Sequence, residues 1–451
     1  MTSFLQKATR YAYAEHMASD FLKAYFGDQK IVYPINPFKM LVDMGLSFSM
    51  RPFHKLEGVY MPATGDDDIA VVGINLNRPI ARQRFTAAHE LCHHLRDSNR
   101  QITCAFNSKS NIERFAEDFA AAVLMPLDEL RKQVDLRRTD GFVNFDAVLE
   151  IAHYFGVSFG ACAFRIAYKL GAIDGDTSPK VLQRRFNSYK PQRKREARGY
   201  NDLALYEGLI DAYTDTLAFS PNDHARFVFQ NHYIYNDSRM EGVMTDLDAA
   251  AEIVTDLRMN QQLSPYCTEE FEAYLSIAGH YAMYQEILKD PVKESCSVYE
   301  TIDLNRKLFS CYPHPEFGGN FRQDNTLVLG AKFETQPYKE IPIAMYHADQ
   351  ELQEFFPNRN QLSTSKYFEA AVKLHHRLTV IHPFADGNGR TLRAFLNMML
   401  VRARITPLYI KVEEKSEYLS ALEHADLTRD YTKLYIFLFQ ILLRRNAELC
   451  S

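Results

Sequence analysis

"HPFADGNGR", residues 382–390, decides how the second half of this chain is read. Asp386-Gly387 and Asn388-Gly389 both break regular structure and tolerate left-handed backbone angles, so the segment contains a turn. A turn requires neither the leading His382 nor the closing Arg390. A phosphate site uses them all. Gly387, Asn388 and Gly389 let successive backbone N–H groups converge on an anion, and the helix that follows offers its positive end to the same phosphates. Glycine is needed because a Cβ would block that approach. Arg390 and Arg393 lie about a helical turn apart and add charge-assisted hydrogen bonds. Asp386 suits a magnesium ion bridging phosphate oxygens, and His382 is placed to deprotonate an incoming hydroxyl. Singly, His382 reads as a core histidine, Asp386 as a turn former and the arginines as surface charges; their joint occurrence favours the site.

The surrounding chain is that of a folded protein. Its 451 residues exceed one ordinary hydrophobic core, which predicts two or three domains. The apolar fraction of 46% and charged fraction of 24% are globular values. The start, "MTSFLQKATRYAYAEHMASDFL", lacks the apolar block of a signal peptide, and no stretch is apolar for long enough to span a bilayer, so the expectation is a cytoplasmic protein without a membrane partner. The 7 cysteines never form a C-x-x-C pair and are expected to be buried thiols. Residues 1–200 hold 28 basic against 22 acidic residues, and residues 201–451 hold 24 against 35, so the halves differ in character. Much of the positive excess sits in "KVLQRRFNSYKPQRKREAR", residues 180–198, which reads as a solvated linker over 176–200, with a nucleic-acid-binding arm as the sharper alternative.

The first half is mixed. "YMPATGDDDIAVVGINLN" (60–77) predicts a hairpin, and "RQRFTAAHELCHHLRD" (82–97) and "NIERFAEDFAAAVLMPLDEL" (111–130) predict helices, the second with Ile112, Phe115, Phe119 and Val123 on one apolar stripe. "DAVLEIAHYFGVSFGACAFRIAYKLGAI" (146–173) predicts two helices about a Gly-Val-Ser turn. After residue 200 helical periodicity dominates, strongest at 267–289, 365–381, 389–404 and 430–445, and "NTLVLGAKFETQPYKEIP" (325–342) reads as a β-hairpin flap.

A second candidate site lies on the helix at 82–97. His89, Glu90 and His93 fit H-E-x-x-H, in which histidines a turn apart share a face and hold a zinc while the glutamate accepts a proton from water. Glu113, on the next helix, is the expected third ligand, giving two imidazoles and one carboxylate. Glu117 is expected to orient a ligand histidine from behind. Without the upstream histidines both would read as surface glutamates. Cys92 reads as a packing residue in preference to a redox control.

Two resemblances follow from these residues. "RFTAAHELCHHL" with "IERFAEDFAAAVLMP" resembles the ImmA/IrrE-type metallopeptidases over roughly residues 30–175. That resemblance implies a zincin-like α+β domain that cuts, or senses without cutting, a repressor or antitoxin protein; Cys92 and Glu117 depart from the pattern. "RLTVIHPFADGNGRTLRAFLN" (377–397) is similar to the Fic signature H-x-F-x-[DE]-G-N-G-R-x-x-R, and "GGNFRQDNTLVLGAKF" (318–333) to the family's Gly-x-[FY]-Arg and target-docking flap. It implies a mainly helical domain that transfers AMP from ATP to a Ser, Thr or Tyr hydroxyl of a target protein. His382 is then the base, Asp386 the magnesium ligand, Gly387, Asn388, Gly389, Arg390, Arg393 and Asn397 the nucleotide contacts, and Phe384 a buried anchor.

Upstream, "IYNDSRMEGVMT" (234–245) resembles the family's inhibitory helix, [ST]-x-x-x-E-[GN], with Glu241 pairing with Arg393 and keeping the outer phosphate away. Asp237 stands where that pattern has serine or threonine. The expected organisation is a metallopeptidase-like domain over 1–175, the basic linker over 176–200 and a self-inhibited Fic domain over 201–451. Removal of AMP from a modified target is the alternative activity, and the sequence leaves self-association open.

Overall fold

The computed structural model describes the chain except residues 66, 98–101, 106–109, 220–221, 244–245, 261–271, 313–314, 329–332 and 450–451. The described residues divide into two compact units, Met1–Tyr213 and Thr214–Ser451.

In the first unit four strands, β1 (Ser47–Arg51), β2 (Leu56–Met61), β3 (Val71–Asn75) and β4 (Ile102–Ala105), form one sheet in the order β1-β3-β2-β4. The expected hairpin is β2 with β3, antiparallel, Tyr60 opposite Val72; β1 joins β3 in parallel and β4 joins β2 antiparallel. The helix Ile80–Arg96 packs beneath β2 and β3 and against the helix Asn111–Leu124. Ser110 starts the latter by accepting the N–H of Glu113 at 3.2 Å. Its apolar stripe begins late. Phe119 and Val123 are fully buried but Ile112 is 40% exposed, and Phe115 lies under the guanidinium of Arg96 at 3.7 Å. The helical run expected to reach 130 breaks at Met125 and Pro126, because a proline disfavours helical geometry in the residue before it. Helices Phe145–Phe155 and Phe159–Arg165 turn at Gly156, in the left-handed region, and Ser158 caps the second, as the Gly-Val-Ser segment predicts.

The expected linker is instead part of this unit. Residues 176–200 contain the helices Pro179–Tyr189 and Pro191–Ala197, and Leu182 and Phe186 enter the core that holds Phe155 and Phe159. The basic residues turn to local acids: Arg195 to Asp202 at 2.6 Å, Arg198 to Glu150 at 3.2 Å and Lys194 to Asp146 at 3.5 Å. Leu182, Phe186 and Tyr189 recur at helical spacing, an apolar stripe that the density of charge conceals. The unit runs on through Leu203–Ala212, with Leu205, Leu209 and Ile210 buried, and Tyr213 accepts the backbone N–H of Met50 at 3.1 Å. The compact units therefore meet in sequence at 213/214, not at 175 and 201.

The second unit is mainly helical. The helix Asn388–Arg402, buried along nearly its whole length, is flanked by Thr364–Ile381, Glu272–Lys289 and Glu300–Phe309. Thr364–Ile381, Asn388–Arg402, Glu272–Lys289 and the final helix Thr432–Leu449 match the periodic stretches, whereas Glu300–Phe309 was not among them; residues 267–271 of the first stretch lie outside the described residues. Part of the expected flap, 329–332, is also outside them. Its described arms carry no strand ladder; they meet through Thr335 Oγ1 donating to Thr326 O at 2.5 Å and Tyr338 N donating to Asn325 Oδ1 at 3.0 Å. Cys92, Cys162, Cys296 and Cys311 are buried free thiols. Among the described residues no single helix is long and apolar enough to cross a membrane.

Candidate active sites

The first site forms where the helices Ile80–Arg96 and Asn111–Leu124 face each other. His93 Nε2 lies 3.1 Å from His89 Nε2, His89 Nε2 lies 3.2 Å from Glu113 Oε2, and all three side chains are buried. One ligand atom from each falls within 4.8 Å of the others, a spacing and a donor set of two nitrogens and one carboxylate oxygen that fit zinc. Burial holds His89 below the ordinary imidazole value although Glu113 pulls it upward, which favours the neutral ring a metal needs. Glu90 is fully buried against β2: a Cβ on Gly58 would fall 2.3 Å from Glu90 Oε1, so glycine there lets the strand pass over the carboxylate.

Asp97, unremarked in the sequence reading, takes the orienting place expected of Glu117. Asp97 Oδ2 sits 3.1 Å from His93 Nδ1, one helical turn on from that histidine. Glu117 is exposed, and no hydrogen bond or ion pair among the described residues joins it to His89 or His93. An acid four positions after the second histidine was the available signal. Burial drives the Cys92 thiol far above its usual range, consistent with packing and not with redox control.

The second site forms at the break between the helices Thr364–Ile381 and Asn388–Arg402. His382 ends the first in the left-handed conformation, φ 52°, an uncommon geometry for a side chain other than glycine. Arg322 supports it. Its Nε donates to His382 O at 2.8 Å, its Nη1 to Asp324 O at 2.6 Å and its Nη2 to Gln336 O, tying the motif to both arms of the flap. Phe384, 1% exposed, bridges Phe321. Asn388 closes the loop locally, accepting Phe384 N–H at 2.9 Å and donating Nδ2 to Phe384 O at 2.7 Å. Gly387 N donates to Asp386 Oδ1 at 2.5 Å, so one donor of the expected anion nest is turned toward Asp386. The helix start at Asn388, Gly389 and Arg390 supplies the outward N–H groups.

Arg390 is buried, with Nη2 3.4 Å from Asp386 Oδ1, while the Asp386 side chain is 73% exposed and open to a cation. Burial lowers the His382 pKa below the ordinary imidazole value. Arg393 donates Nη2 to Glu241 Oε1 at 2.6 Å and Nε to Asp237 Oδ1. Asn397 departs from expectation. Its amide donates to Leu408 O at 2.8 Å and accepts Leu408 N–H at 2.6 Å, and the side chain is 2% exposed, so it clamps the segment after its own helix instead of lining the nucleotide site. Asn305 was not anticipated: fully buried, it accepts Gly319 N–H at 2.8 Å and donates to Asp386 O and Thr391 Oγ1, each at 3.1 Å.

Comparison with known proteins agrees with this division. Residues 47–167 match the IrrE N-terminal-like domain and residues 295–400 match the Fic/DOC family. The chain is 36% identical over 97 residues to protein adenylyltransferase fic-1 of Caenorhabditis briggsae, covering 21% of this chain and 19% of that protein. It is 34% identical over 136 residues to protein adenylyltransferase fic-1 of Caenorhabditis elegans, covering 30% and 25%. It thus spans about a fifth to a quarter of the length of these curated relatives. The solved structure of Fic-1 from C. elegans aligns with a TM-score of 0.45 and 17% identity over 72% of this chain and 91% of that one. The buried two-histidine cluster falls within the first matched segment and the His382 loop within the second: the chain carries an IrrE N-terminal-like domain followed by a Fic domain.

Proposed function

We propose that the second unit transfers AMP from ATP to a Ser, Thr or Tyr hydroxyl of a target protein, and that Glu241 restrains it. The observation that carries this reading is the Arg393 guanidinium, bound to Glu241 at 2.6 Å beside Gly389, where it would otherwise be available to phosphate. The N–H groups at the start of the helix Asn388–Arg402, with Arg390 and Arg393, hold the phosphates. Asp386 would hold magnesium, which supplies charge neutralisation on the phosphate oxygens. His382 takes the proton of the target hydroxyl, that oxygen bonds to the α-phosphorus, and the bond to the β-phosphate oxygen breaks, releasing diphosphate. Full-length protein with α-labelled ATP tests it: His382→Ala should abolish labelling of a target and Glu241→Gly should raise it. Equal labelling by wild type and both variants sinks the proposal.

The first unit is proposed to be a zinc peptidase acting on a repressor- or antitoxin-type protein. His89, His93 and Glu113 would hold zinc, which supplies Lewis acidity toward water and a peptide carbonyl. Glu90 takes the proton of the attacking water, and Asp97 fixes the His93 ring. Mass spectrometry of such proteins incubated with wild type and with Glu90→Gln is the test. Cleavage confined to wild type is expected; zinc bound but no peptide bond cut in any partner would leave a binding role.

A further inference from the structure

Arg393 is held by two carboxylates of different character. Glu241 reaches Nη2 with a side chain 32% exposed, whereas Asp237 reaches Nε with a side chain only 4% exposed. Asp237 occupies the position at which the inhibitory-helix pattern has a hydroxyl. A hydroxyl carries no charge; the carboxylate makes an ion pair and keeps a second oxygen, which lies 3.1 Å from His280 Nε2. His280 is fully buried and fixed in turn, since its Nδ1 donates to Ser276 O at 2.8 Å. Burial raises the Asp237 pKa, but Arg393 and His280 outweigh it and hold the group below the usual carboxylate range. A buried series from Ser276 through His280 and Asp237 thus ends on the guanidinium, and Glu241 approaches from the solvent side.

The two acids cannot be equivalent. The more exposed one costs less to detach, because water can replace its partner, whereas a buried carboxylate left unpaired is strongly penalised. An arginine losing its only partner would regain rotamer freedom that has to be given up again on binding phosphate. Arg393 keeps its Nε contact. Its Nη1 remains beside Gly389, 2.9 Å from where a Cβ on that glycine would stand. We infer that Asp237 is a positioning residue that keeps Arg393 turned toward Gly389 once Glu241 withdraws, so that the outer phosphates of a nucleoside triphosphate meet a guanidinium already oriented. This rests on the nucleotide-transfer reading above.

Asp237→Asn separates orientation from charge: Oδ1 still accepts from Arg393 Nε, and the amide still fills the space toward His280. Asp237→Ala removes both functions. Calorimetry of ATP and AMP binding to the full chain, all in the Glu241→Gly background, decides the matter, with thermal unfolding of each variant run alongside. Adding Asp237→Ala should weaken ATP binding by at least about tenfold and leave AMP binding unchanged, while Asp237→Asn should hold ATP affinity within about threefold or tighten it. Unchanged ATP affinity in Asp237→Ala, or equal losses for AMP and ATP, overturns the inference. If Glu241→Gly alone binds no ATP, the nucleotide reading itself falls and takes the inference with it.

Discussion

Asn305 donates its side-chain amide to the carbonyl of Asp386 at 3.1 Å, joining the His382 loop to a helix 81 positions earlier in the chain. The same side chain holds Gly319 N–H, so one buried amide fastens the loop and the segment leading into the flap. Asn305→Ala would leave the buried Gly319 N–H without its acceptor and remove the donor to the part-buried Asp386 carbonyl. The expected cost is about 2–4 kcal/mol, seen as a lower unfolding midpoint in denaturant, together with weaker ATP binding. A midpoint within error of wild type would show that the clasp is dispensable.

Gly387 has a φ of 74°, and a Cβ there would lie 2.7 Å from Leu308 Cδ2 and 2.9 Å from Phe309 Cε2. Gly387→Ala therefore meets both a left-handed backbone and an occupied space. A loss of about 2–4 kcal/mol is expected from the two effects together, with nucleotide affinity falling as well.

If the His89–His93–Glu113 cluster holds zinc as proposed, Asp97→Ala should weaken zinc affinity about 10–100-fold, measured by competition with a chelator, because His93 loses the group that fixes its ring. Glu90→Gln should leave zinc affinity near wild type while removing the proton acceptor. Equal zinc affinity in Asp97→Ala would demote that contact to packing.

The proposed nucleotide transfer would take its pH dependence from His382. A general base works in its neutral form, and burial shifts this imidazole below its ordinary value of 6.5. Activity should rise with pH through a midpoint below 6.5 and level off above it. A midpoint above 6.5 in the Glu241→Gly variant would contradict the burial argument or the choice of base.

What could be read in the sequence was set by distance along the chain. His89 and His93, or Arg390 and Arg393, are brought together by about a turn of helix, and that geometry is the same in any fold. Arg393 and Glu241, 152 positions apart, were legible only because each sits in a recognisable local pattern. His280 carries no such pattern, and its place behind Asp237 depends on how the helices Asp223–Met240 and Glu272–Lys289 pack. Asn397 shows the converse: a position in the right helix with a side chain facing Leu408. The basic stretch misled for a different reason, since eight cations dominate its composition whereas Leu182 and Phe186 decide its structure.

That packing has a practical consequence for anyone dissecting the protein. Leu182, Phe186, Leu205 and Leu209 are interior side chains of the first unit, so a truncation at residue 175 or 200 would bare an oily surface and invite aggregation. The seam for grafting or swapping either half lies after Tyr213.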